Sequence, residues 1–285
     1  MGKLKVLFLS VCISVGGGKV LSQPYPVPDC AQYSVRDSLV KRYITDGAVK
    51  AGVSYTDARW PLYCDSILSI CAEVAEAYQL KALPYTKYGN YLIAMPLIDK
   101  AVLYDTLQFL PYRAFIKGIF AKDYDGAIAD FSLCQRLSGS GGVMDHSFSF
   151  YLGLCYMENG DDAMASRYLS EDIAMQQGRG PEAQAHFNAW LYSGIVQMNL
   201  GHLDTARSQL QKCLDQYPQH PEGNYYMAAV LFRMGLLVEG KKYASAGRAG
   251  HAAGYRMNED NLYYVNYPKQ VSSSDFDALL PGERN

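Results

Sequence analysis

An all-α solenoid of antiparallel helix pairs is the fold class this sequence predicts, and three observations carry the prediction. Residues 187–218, Phe-Asn-Ala-Trp-Leu-Tyr-Ser-Gly-Ile-Val-Gln-Met-Asn-Leu-Gly-His-Leu-Asp-Thr-Ala-Arg-Ser-Gln-Leu-Gln-Lys-Cys-Leu-Asp-Gln-Tyr-Pro, read as one helical hairpin with a glycine turn at Gly201 and a proline stop at Pro218. The pattern then returns with a fixed period. Asn224, Ala228, Gly235, Gly240, Ala244 and Gly247 lie 34 residues after Trp190, Gly194, Gly201, Ala206, Leu210 and Cys213. Toward the other end, apolar residues recur at helical spacing over 34–50 and again over 62–80.

The first 22 residues read as an export signal rather than as structure. Lys3 and Lys5 form a positive start, Val6 to Val15 is an apolar run too short to span a bilayer, and Val20-Leu21-Ser22 offers a cleavage site before Gln23. A second reading stays open beside it. Leu9-Ser10-Val11-Cys12 resembles a bacterial lipobox, in which Cys12 would carry a lipid anchor. Residues 23–33 follow as an extended, proline-punctuated leader with no packing of its own. From Ser34 to Lys50 the stripe Val35, Leu39, Val40, Tyr43, Ile44 and Ala48 predicts a first helix. Pro61 suits the first turn of the next, which the apolar face Ile67, Leu68, Ile70, Cys71, Val74, Ala75 and Tyr78 carries as one helix to Leu80. Pro84 is expected to end or kink it.

Residues 87–101 then repeat the turn glycine and the small-large-small offsets, so 34–107 holds N-terminal helices that include degenerate repeat units. Within 108–254 four units are expected, at about 108–139, 146–176, 187–218 and 221–252. Flexible insertions at 138–142 and 176–181 separate them. Small residues (Gly153, Gly194, Ala228; Ala127, Ala165, Ala206, Gly240) allow close helix crossing, and Phe131, Leu169, Leu210 and Ala244 fill the grooves between hairpins. Asp123, Asp161 and Asp204 are expected to cap second helices, at about 1 kcal/mol each. A tail at 255–285 covers the last repeat.

These offsets resemble the tetratricopeptide repeat (TPR) family, here as an exported bacterial member. The resemblance implies a right-handed α-solenoid whose first helices line a concave groove, with a protein or peptide partner in it. Carried over residue by residue, the groove-facing positions are Tyr112, Phe150, Leu154, Met157, Asn188, Leu191, Ile195, Met198, Tyr225, Phe232 and Arg233. The Lys and Asn with which some members clamp a peptide carboxylate are replaced by Tyr112, Phe150, Leu191 and Tyr225, and by Ile116, Leu154, Ile195 and Ala229. So apolar a face is either core, filled by the chain itself, or the seat of a partner segment with apolar anchors.

Composition narrows the function classes. Lys plus Arg is 26 against 28 for Asp plus Glu, which disfavours nucleic acid as a partner. No nucleophile motif, metal-ligand spacing or phosphate loop stands out; Gly16-Gly17-Gly18-Lys19 lacks the Ser or Thr that a phosphate loop needs. No enzyme activity, cofactor or metal is therefore expected, and a hydrolase built from scattered carboxylates is the remote alternative. The five histidines, His146, His186, His202, His220 and His251, are expected to be exposed or capping. Of seven cysteines, those after Cys12 are expected to be buried free thiols, since Cys64 and Cys71 would stand about 10 Å apart on one helix, beyond disulfide reach. The function expected is an interaction or assembly scaffold of the bacterial cell envelope or periplasm. The runner-up is a glycan-binding accessory protein, motivated by 24 tyrosines and by Trp60 as an exposed platform.

Overall fold

In a computed structural model the described residues are 28–180, 182–259 and 261–280. The proposed signal, Cys12 and the start of the leader lie outside them. Helices dominate because the apolar stripes found in the sequence need partners, and each helix finds one in its neighbour along the chain. Helix α1 (Tyr33–Val40) runs on as a π-helical segment, Lys41–Val49, and packs with α2 (Trp60–Ile70). Five antiparallel pairs follow. They are α3 (Ala75–Lys87) with α4 (Tyr91–Tyr104), and α5 (Thr106–Phe115, continued by π-helical Ile116–Ala121) with α6 (Tyr124–Ser138). After them come α7 (Phe148–Glu158) with α8 (Asp162–Gln177), α9 (Phe187–Asn199) with α10 (Leu203–Gln216), and α11 (Pro221–Arg233) with α12 (Leu237–Ala252). Each second helix also packs on the first helix of the next pair, which makes the stack a solenoid.

The small residues do what close crossing requires. A Cβ on Gly194 would stand 2.6 Å from Leu210 Cγ, so α9 and α10 meet at a distance that no other residue permits without displacement. The turn glycine Gly201 sits at φ +81°, in the left-handed region that ends a helix at low cost. Asp123 and Asp161 accept from the backbone N–H of Gly126 and Met164, each at 3.0 Å. Asp204 does not cap. It is the second residue of α10, where it opposes the positive end of the helix dipole, and His202 holds the cap position.

Three expectations about the N-terminal part are overturned. The stretch 62–80 is two helices, because the chain turns extended at Cys71 (φ −133°, ψ 99°) and Val74 (φ −79°, ψ 95°). Apolar spacing did not reveal the break, since both halves face one core of Ile67, Cys71, Val74 and Ala77. The break releases Cys71 from helical geometry. It bonds Cys30 with Cα atoms 5.7 Å apart, so these two cysteines are not free thiols and the leader is tied down rather than loose. Cys64, Cys134, Cys155 and Cys213 are free and buried, and burial pushes the Cys155 thiol up to about 12.

Pro84 lies inside α3 and does not end it. Having no N–H, it leaves the carbonyl of Leu80 without its helical donor, and the indole Nε1–H of Trp60 donates to that oxygen at 2.8 Å. Trp60 is 6% exposed. It is a docking residue rather than a platform, and the glycan reading loses the side chain that motivated it.

The insertion at 138–142 leads into a short antiparallel ribbon, β1 (Gly142–Val143) and β2 (His146–Ser147), in front of α7. The last helix, α13 (Ser273–Leu279), opens on a capping box between Ser272 and Asp275. Its Phe276 is fully buried against α11 and α12, with a Cβ on Gly247 falling 2.7 Å from the ring.

Candidate functional site

Successive first helices α7, α9 and α11 form the face that the resemblance makes concave. A tyrosine ladder stands on it. Tyr151, Tyr192 and Tyr226 hold the same register, two residues before Gly153, Gly194 and Ala228, and each is one residue beyond a sequence-assigned groove position. Across this face runs the chain's own tail.

The tail leaves α12 at Gly254 (φ +90°) and is held through both its main chain and its side chains. Tyr217 Oη donates to the carbonyl of Arg256 (3.1 Å) and Asn188 Nδ2 to that of Met257 (3.2 Å). Farther on, Lys122 Nζ donates to the carbonyl of Asn266, Tyr192 Oη to that of Pro268 (3.0 Å) and Tyr226 Oη to that of Lys269 (3.1 Å). Side chains of the tail are held as well. Met257 is fully buried, and the Glu259 carboxylate accepts from Asn188 Nδ2 at 2.6 Å and faces His146 Nε2 at 3.1 Å. Lys269 Nζ pairs with Glu158 at 2.9 Å. Between these anchors the tail reaches back to α3. Lys87 Nζ donates to Asn261 Oδ1 and stands 4.1 Å over the ring of Tyr264, whose hydroxyl bonds that of Tyr55 at 2.9 Å.

A polar network ties the two ends of this strap. Asn188 bonds Glu259 through Nδ2 and His220 Nε2 through Oδ1 (3.0 Å); His220 Nδ1 stands 3.2 Å from Glu222, whose other oxygen faces the N–H of Val271. His220 and Glu222 are almost wholly buried; His220 nonetheless caps α11, its Nδ1 accepting from Gly223 N–H at 3.3 Å, as His186 caps α9, whereas His146 is buried and caps nothing. Buried groups of this kind are costly unless paired, and Glu222 Oε2 is left without a hydrogen-bond partner beside His220 Nδ1. His186, beside His146 and partly buried, is pushed down to about 4, chiefly by desolvation. Burial lifts the hydroxyls of Tyr192 and Tyr226 above the ordinary tyrosine value, so both stay protonated as donors.

Next to Glu259 opens a polar cavity of about 340 Å³, with Asp172, Gln176, Arg179 and His186 on its wall. Asp172 accepts from Ser147 Oγ and Gln176 Nε2, both at 2.7 Å, while burial raises its pKa. These bonds brace the start of α7; they do not assemble a nucleophile with a base. Among the described residues no group of three or more His, Cys, Asp or Glu could hold a metal, and no helix is long and apolar enough to cross a membrane.

Most of the sequence-assigned groove residues are not open to a partner. Phe150, Leu154, Met157, Asn188, Leu191, Ile195 and Met198 are all buried in the solenoid core, between 0% and 7% exposed. Tyr112 is half-buried. Tyr225 meets Phe276 edge to face at 5.5 Å, and Phe232 packs with Ala228, Ala244 and Leu280 under the C-terminal cap. Arg233 is exposed, with Nη1 donating to the carbonyl of Met198 at 3.0 Å. Of the eleven, Asn188 alone bonds the tail. The others were placed by offsets that do not say what the chain lays over a face. Tyr192, Tyr226, Glu222, Lys122, His146 and Glu259 were missed. One signal was present: Asn188 and Glu222, Tyr192 and Tyr226, and His186 and His220 are all 34 residues apart, a polar echo inside an apolar repeat.

Comparison with known proteins bears on the fold. The family model described as tetratricopeptide repeat matches residues 188–220. No curated protein matches the chain by sequence. Among solved structures, PilW, described as a widely conserved type IV pilus biogenesis factor, is 12% identical with a TM-score of 0.57, covering 81% of this chain and 96% of its own. PilF of Pseudomonas aeruginosa is 15% identical, with a TM-score of 0.55 over 77% and 95%. YrrB, described as a TPR protein with an unusual peptide-binding site, is 16% identical, with a TM-score of 0.50 over 67% and 93%. The chain thus contains a tetratricopeptide repeat at 188–220, set in the all-α solenoid that tetratricopeptide-repeat proteins share.

Proposed function

We propose that this chain is an exported, non-enzymatic interaction scaffold of the bacterial cell envelope, and that its partner lies as a non-helical peptide segment along the face of α7, α9 and α11. One observation carries the reading: an irregular segment of the chain's own tail already lies there, and Asn188 and Tyr192 of α9 and Tyr226 of α11, with Tyr217 and Lys122 from neighbouring helix ends, donate to its main-chain carbonyls. Carbonyls belong to every sequence, so a face that reads them accepts a polypeptide main chain as a class. The use of such a fold for peptides accords with YrrB, which is described as having a peptide-binding site. Export is supported by the Cys30–Cys71 bridge, since such bonds persist in oxidising compartments. Either a cleaved signal or lipidation at Cys12 would deliver the chain there.

The test is photo-crosslinking in the native envelope, with benzoylphenylalanine replacing Tyr226 in the groove or the exposed Lys241 on α12. A partner that crosslinks from 226 and not from 241 is the expected result. Partner adducts from 241 alone would refute the groove as the interaction surface.

A further inference from the structure

We infer that residues 256–271 are a self-ligand: they hold the groove in the resting protein and show the chemistry of the partner that displaces them. The inference rests on the reading of this groove as the interaction surface. It adds what the groove recognises and what competes for it.

Two kinds of contact separate along the tail. The bonds from Tyr217, Asn188, Lys122, Tyr192 and Tyr226 go to carbonyl oxygens and carry no sequence information. Recognition falls on the buried side chains: Met257, which is fully enclosed, Glu259 two residues later, and Tyr267, 4% exposed. The Glu259 carboxylate enters a preformed cradle of Asn188 Nδ2 at 2.6 Å and His146 Nε2 at 3.1 Å, and Asn188 is itself fixed by His220. The Asn188 donor and the facing His146 ring thus suit a carboxylate at that position. The partner segment is therefore a peptide with an apolar residue two positions before a carboxylate.

Other tail contacts suit a strap that lets go. Tyr263 is 94% exposed and Tyr264 47% exposed, and the hold of Tyr264 on Tyr55 and Lys87 lies at the surface. Of the apolar side chains of this turn, Leu262 and Val265 are only partly buried against the main core. As long as the tail is attached, its local concentration is of millimolar order, so a free peptide competes poorly. The apparent affinity falls by the fraction of molecules with an open groove.

The experiment uses the full chain and a fluorescein-labelled peptide of its own residues 255–271, followed by anisotropy. Wild type should bind it weakly. The Glu259→Ala chain, whose tail has lost its carboxylate anchor, and the Tyr264→Ala chain, altered only at the surface, should each bind it at least about tenfold more tightly. A peptide carrying alanine in place of the glutamate should lose that gain. Equal binding by wild type and both variants would overturn the inference, as would no binding to either variant. Loss of the helical circular dichroism signal in both variants would make the tail part of the core and overturn it equally. If the peptide fails while native-envelope crosslinks from position 226 persist, the scaffold reading stands and the self-ligand falls.

Discussion

Replacing Cys30 by alanine should loosen one end of this protein selectively. The bridge to Cys71 closes a loop with a sequence separation of 41. Loop-closure entropy for a ring of that size gives about 4 kcal/mol at 25 °C, close to a thousandfold in an opening equilibrium. The loss should not spread evenly. The helices joined by the bridge form their own core cluster, built around Ile44, Ala48, Trp60, Cys64 and Ile67, apart from the large cluster that runs from α3 to α11. Cys30 is the partner to change, because it is only partly buried whereas Cys71 is 1% exposed. Hydrogen exchange read peptide by peptide is the suitable assay, since it resolves local opening from global unfolding. Amides of α1 and α2 should lose protection by a factor approaching a thousand in the variant, while those of α9 and α10 hold theirs. Protection at α1 and α2 within tenfold of wild type would refute the reasoning. So would peptide mapping of protein from an oxidising compartment in which Cys30 and Cys71 are alkylated without reductant.

Three further outcomes are expected. Trp60→Phe keeps a ring in the core but strands the Leu80 carbonyl beside Pro84, costing about 1–3 kcal/mol in urea unfolding; an unchanged midpoint would show that oxygen to be satisfied otherwise. Ile195→Asp, at a site 1% exposed, should collapse the fold rather than strip off a partner; an intact helical circular dichroism signal would place Ile195 at the surface. His186 is held near 4 against 6.5 in an open chain, so between those values the unfolded state binds the extra proton. Its contribution is complete above pH 6.5 and is lost as pH falls toward 4. His186→Asn, which keeps a cap acceptor for α9, should lose less of its urea midpoint than wild type between pH 7.5 and 4.5, and equal losses would count against His186 as the group responsible.

The repeat was legible because it is local. Gly194 and Gly201 lie where a close crossing and a left-handed turn need them, and both are set by residues within one hairpin. The bridge was hidden because its premise was one continuous helix over 62–80, and apolar spacing cannot distinguish that helix from two that share a core. Trp60 was misread for a similar reason. Its partner is a carbonyl orphaned by Pro84, twenty-four residues on, and only the packing of α2 against α3 brings them together.

By itself the sequence determined the helix pairs, their turns and the all-α stack, since a 34-residue period of small, large and turn residues encodes contacts between neighbours in the chain. Tertiary structure decided what lies on the face of α7, α9 and α11. Glu259 meets His146 across 113 residues, and Tyr55 meets Tyr264 across 209. No periodicity records such pairs, because a solenoid's repeats specify their neighbours while the tail that closes the groove belongs to no repeat.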